Sequence, residues 1–173
     1  WYPHAGTVDR ATYRAVFETP ARHTLLGSGR VVEEMRIKNY RRQVRVLDKP
    51  SLFFGFELGK YKIVKRQLGH VALTIGFLGD WGAASEAERD ATIGTIRDAL
   101  ATHEENFGPY PLDHLSVTTT RHGFGQGFLG FVTIPDDFVR RIEESRAAAL
   151  DHRRLIAHEL AQEFDNVNVI DHT

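Results

Sequence analysis

Tyr13, Ala15 and Phe17 are apolar or small, with Arg14 and Glu18 beside them, and this period-two alternation is that of a strand with one buried face. Residues 12–78 continue in that vein and predict several antiparallel strands, with Gly27-Ser28-Gly29 and Asp48-Lys49-Pro50 as turns. Ser51–Leu58 and Val71–Phe77 are the most apolar stretches, as strands covered on both faces would be. From Ser85 the period changes. Ser85 suits an N-cap, Glu86 and Glu88 suit a first turn, and Ile93, Ile96, Leu100 and Phe107 recur at helical spacing as far as Gly108-Pro109. The spacing predicts a helix of about six turns. A strand over Leu115–Thr120 follows, then the glycine-rich Gly123–Gly130, then a strand over Phe131–Ile134. Ala149, Ile156, Leu160 and Phe164 stripe one face of a second long helix, from about Ile142 to Phe164. The fold class is therefore α+β: an antiparallel β portion, then a mixed sheet with two long helices.

Composition narrows the chemistry. Of the 173 residues 42% are hydrophobic and 26% charged, enough apolar material for one core or two small ones. There is no cysteine, which excludes disulfides, thiolate metal sites and a cysteine nucleophile; any metal would rest on His, Asp or Glu. No apolar run reaches the roughly 18 residues of a membrane span, so no membrane segment is expected. The start at Trp1 suggests a piece of a longer polypeptide or a processed chain, and leaves the compartment open. Charge is uneven: residues 1–66 carry 14 Lys and Arg against 6 Asp and Glu, while residues 67–173 carry 8 against 17. The two parts should attract each other. In the basic run Arg36–Arg45, Val44 and Val46 alternate with Gln43 and Arg45; this predicts a solvated strand face rather than a nucleic-acid patch, and no nucleic-acid partner is expected.

The residues with the most suggestive chemistry are His158-Glu159-Leu160-Ala161-Gln162. On a helix, positions i and i+4 share a face, so an HExxH segment aims two imidazoles at one zinc and leaves its Glu beside the metal-bound water. Here Gln162 stands at the second ligand position, and an isolated HExxQ is more often an ordinary stretch of helix. The other histidines, His4, His23, His70, His103, His114, His122, His152 and His172, show no ligand spacing and read as surface or core residues, with His122 the next candidate because it adjoins the glycine-rich loop. That loop is not a phosphate-binding P-loop, since no Gly-Lys-Ser/Thr follows, and it leads into a strand, unlike a dinucleotide fingerprint.

The order of segments gives the motif a context. Phe107-Gly108-Pro109-Tyr110-Pro111-Leu112-Asp113-His114-Leu115, a strand, a glycine-rich loop ending Gly130-Phe131-Val132, and Leu155-Ile156-Ala157-His158-Glu159-Leu160-Ala161 together resemble the aminopeptidase N family of zinc peptidases, the gluzincins. Trp1-Tyr2-Pro3-His4, Tyr13, Phe17, Pro20 and Phe53-Phe54-Gly55 resemble the end of that family's N-terminal β domain. The resemblance implies a β-rich portion over 1–79 and the front of a thermolysin-like peptidase domain over 80–173. It implies a catalytic Glu159 as general base, and zinc-ligand positions at His158 and, with a weak or lost ligand, Gln162. The family's third ligand would fall beyond Thr173. Zinc is thus the cofactor of the intact family, and none is expected on this chain. The family's amine-gripping Gly-x-Met-Glu-Asn loop corresponds to Gly125, Gln126, Gly127 and Gly130, the expected substrate-binding residues, without the anchoring carboxylate. Two functions follow as expectations: a piece of a metallo-aminopeptidase that is inactive as this chain, or a non-catalytic module binding a peptide or protein.

Overall fold

The computed structural model describes residues 9–79 and 84–168, with side chains as far as 164. The chain runs β1 (Ala11–Pro20), β2 (Thr24–Gly27), β3 (Arg30–Ile37), β4 (Tyr40–Ser51), β5 (Phe56–Gly59), β6 (Tyr61–Leu68), β7 (Val71–Leu78), α1 (Glu86–Phe107), β8 (His114–Thr120), β9 (Gln126–Phe128), β10 (Phe131–Pro135), α2 (Asp136–Arg140) and α3 (Arg146–Asn168). The class is α+β.

Three sheets result among the described residues. β1, β4 and β3 form an antiparallel sheet with β4 in the centre, β2 pairs with β5, and a five-stranded sheet has the order β6-β7-β8-β10-β9. In the large sheet β7, β8 and β10 are parallel, while β6 and β9 are antiparallel edges. Parallel neighbours need a crossover, and α1 provides the one from β7 to β8. Ser85 starts α1 as a capping box: its hydroxyl accepts from Glu88 N–H at 3.1 Å and Glu88 Oε2 accepts from Ser85 N–H at 2.5 Å. Gly108 ends it, donating its N–H to the Glu104 carbonyl at 3.0 Å.

One hydrophobic core lies between the large sheet and α1 and α3. Leu73, Ile75 and Phe77 of β7, Leu115 and Val117 of β8, and Val132 and Ile134 of β10 meet Ile96 and Leu100 of α1 and Ile156, Leu160 and Phe164 of α3. The stripe that predicted α3 is thus the face it buries. The boundary expected near Gly79–Gly82 falls largely outside the described residues; the large sheet takes β6 and β7 from before it and β8–β10 from after it.

Several local expectations change. Asp48-Lys49-Pro50 is no turn but part of β4: Ala11 faces Ser51 and Tyr13 faces Leu47, so the three residues bulge opposite Thr12, one of the few places a sheet accepts proline. Ser51–Leu58 is not one buried strand; it ends β4, leaves Phe53 exposed and begins β5. The glycine-rich segment contains β9, and Pro135 is followed by the short α2, so α3 starts at Arg146 rather than Ile142. The basic run departs most. Gln43 and Arg45 are 7% and 3% exposed, so that face of β4 points inward instead of into solvent.

Candidate functional site

Gly123–Gly130 folds because its glycines let a strand lie directly on a helix. β9 pairs with β10, Val132 opposite Gly127 and Thr133 opposite Gln126, and Gly130 makes the intervening turn at a φ of +78°. One face of β9 rests on α3. A Cβ at Gly127 would sit 2.4 Å from the Glu159 carbonyl oxygen, and one at Gly125 would sit 2.9 Å from Glu159 Oε1. No side chain fits at either position without movement.

This close approach brings the sequence-predicted residues together, though not as a metal centre. Glu159 is 4% exposed, and its carboxylate accepts the Gly127 backbone N–H. Burial raises its pKa, while His158 and the Gly127 N–H pull the other way. Gln162 is half-buried against Gly127, its Oε1 being 3.2 Å from where a Cβ would stand there. His158 is exposed, and its Nε2 lies 3.1 Å from Gln162 Nε2. The amide can donate to this imidazole nitrogen when the ring proton sits on Nδ1. Gln126 is exposed on β9. The strand that α3 faces here is β9, the edge strand, more directly than β10.

Behind these residues sits a carboxyl group that pattern reading overlooked. Glu163 is fully buried; its Oε2 accepts the Gly130 N–H at 3.0 Å and the Tyr110 hydroxyl, while Oε1 is buried without a hydrogen-bond partner. Burial raises its pKa to about 8 against the opposing effect of the two hydrogen bonds, and the Tyr110 hydroxyl is raised too, by burial and by the facing carboxyl. Glu163 therefore holds the β9–β10 turn to α3 as a neutral acid at pH 7. A signal existed in the sequence: Glu163 lies seven residues after Ile156, inside the apolar stripe.

The remaining candidates scatter. His122 is exposed, 3.9 Å from Glu57 Oε1 and stacked on Phe124. His152 is fully buried between the helices, its Nε2 3.2 Å from Thr92 Oγ1, and burial lowers its pKa to about 4. His103 packs with Phe107 and Phe164. Trp1–His4 and His172 lie outside the described residues.

No protein-family model matches the chain. Comparison with curated proteins gives no match either. The motif itself offers one imidazole, His158, one carboxylate, Glu159, and one neutral amide, Gln162, and among the described residues no group of three or more His, Asp or Glu converges. A catalytic zinc needs three protein ligands and an open position. No helix among the described residues is long and apolar enough to cross a membrane.

Proposed function

We propose that the chain is the front part of an aminopeptidase N-like peptidase scaffold that does not hydrolyse peptides as this chain, and that β9 is the edge on which a peptide or protein segment docks. The Gln162–His158 hydrogen bond carries the first half: at the helical spacing where two ligands would share a metal, one side chain satisfies the other. The second half is supported by the position of β9 at the end of the sheet, with Gln126 exposed. An added strand would take main-chain hydrogen bonds along that edge, and it would have to displace Glu159 from the Gly127 N–H.

Two results are expected. The purified chain, dialysed against zinc and then against zinc-free buffer, should retain no stoichiometric metal; a ratio near one that disappears in His158→Ala would overturn the reading. Aminoacyl anilides with added zinc should show no turnover with the unaltered chain or with Gln162→His, because that substitution supplies a second imidazole but no third ligand. Turnover that vanishes in Glu159→Gln would establish an assembled catalytic site and sink the proposal. Docking predicts that a bound peptide protects the Gly127 amide from hydrogen exchange more strongly than the amides of α1.

A further inference from the structure

An open-sided cavity of about 540 Å³ lies between the inward face of β4 and the large sheet, a size typical of small-molecule sites. Its lining contains four cationic side chains, Arg30, Arg41, Arg45 and Lys65, and one carboxylate, Glu34. None of His158, Glu159, Gln162 or Gly125–Gly127 contributes to it.

The two walls present complementary donors. On β4, Arg41, Gln43 and Arg45 alternate and so share one face. Across the cavity Lys65 stands opposite Thr74, and Thr74 opposite Ser116, giving a row of an ammonium and two hydroxyls over β6, β7 and β8. Glu34 is already engaged, 3.4 Å from Arg41 and accepting from Gln43 Nε2 at 3.3 Å. Arg45 is different. It is 3% exposed, and its guanidinium donates only to neutral acceptors: the carbonyls of Gly27, Ser28 and Gly29, the Gln43 amide oxygen at 3.1 Å and, at 3.5 Å, the Ser116 hydroxyl. A buried charge is ordinarily paired with an opposite one. His114, also in the lining, has a buried Nε2 without a hydrogen-bond partner.

We propose that this cavity binds a small multivalent anion, a polycarboxylate or a phosphate ester, held between Arg41 and Arg45 on β4 and the Lys65–Thr74–Ser116 row. The Arg41 fork suits both carboxylate and phosphate oxygens, Arg45, whose Nε and Nη2 already donate to the carbonyls at residues 27–29, adds charge rather than a fork, and hydroxyls complete the shell of donors. Arg30 stands 3.7 Å from Asp48 and Arg41 3.4 Å from Glu34, so the positive charge left to Arg45 and Lys65 favours an occupant with more than one negative charge, and a cavity of this volume suits a small molecule. Burial lowers the Arg45 pKa to about 10, a cost that an anion beside it offsets.

The test is calorimetric titration of the whole chain at low salt, with citrate and pyrophosphate as separate probes. Binding of at least one, weakening as salt rises, is expected; citrate alone identifies the carboxylate form and pyrophosphate alone the phosphate form. Arg41 is partly exposed and Lys65 exposed, so Arg41→Gln combined with Lys65→Gln should fold normally, as circular dichroism would verify, and should weaken binding by about tenfold or more. Glu34→Gln should tighten it by removing the competing carboxylate. Absence of heat with both probes, or equal affinity in the double variant and the unaltered chain, overturns the proposal.

Discussion

Gly127→Val is expected to destabilise the fold by about 3 kcal/mol, the upper end of ordinary overpacking penalties. The reason is the partner the new side chain meets. Its Cβ would lie 2.4 Å from the backbone carbonyl of Glu159, and a helix carbonyl cannot rotate aside as a side-chain tip can. Either β9 leaves α3 or α3 moves, and movement of α3 disturbs Ile156, Leu160 and Phe164 in the core. Gly123→Ala in the same glycine-rich segment is the control: nothing lies within 4 Å of its Cβ, so its effect should stay within about 0.5 kcal/mol. Urea unfolding of both variants measures the contrast. Equal midpoints would mean that β9 is not packed on α3 in solution.

The contrast also marks what could be read from the chain. α1 was legible because its signals are local: Ser85 and Glu88 cap it and Gly108 ends it, with partners only a few residues away. α3 was legible in its core face, through Ile156, Leu160 and Phe164. Asp48-Lys49-Pro50 was misread for the same reason that α1 succeeded. Its residues are local breakers, but their role is fixed by Ala11 and Tyr13, nearly forty residues earlier. Arg45 is the sharper case. Period-two alternation separates two faces of a strand without saying which is inside, and a charged face is normally assigned to solvent. What buries Arg45 is the set of carbonyls at Gly27–Gly29, which β2 and β3 bring over it.

For the candidate site, the sequence offered Glu159, Gln162, Gly125 and Gly127 only through a family resemblance, without the packing of the two glycines against Glu159 and Gln162. It could not give the Gln162–His158 bond, which depends on side-chain rotamers, nor the Glu163–Tyr110 pair, whose members are separated by 53 positions. That pair and His152 give the chain an unusual dependence on acidity.

Stability should be greatest in mildly acidic solution and fall by about 2 kcal/mol between pH 6.5 and 8, at about 1.4 kcal/mol per pH unit for one group. The sign follows from two buried side chains. Glu163 has a folded pKa of about 8 against an ordinary 4.5. The unfolded chain ionises it from pH 4.5 upward while the fold keeps the proton, so its contribution is fully present below 4.5 and is lost as pH rises to 8. His152 has a folded pKa of about 4 against 6.5. The unfolded chain takes up a proton below 6.5 that the fold refuses, so stability is lost as pH falls from 6.5 to 4. Between 4.5 and 6.5 the two slopes oppose each other. Above 6.5 only Glu163 of this pair still acts. Glu163→Gln keeps a carbonyl oxygen to accept from Tyr110 and Gly130 but cannot ionise. Thermal unfolding from pH 4 to 9 should therefore show Tm falling by about 4–8 °C between pH 6.5 and 8 in the unaltered chain, and much less in Glu163→Gln. Parallel profiles for the two proteins would mean that Glu163 is not the neutral buried acid that ties the β9–β10 turn to α3.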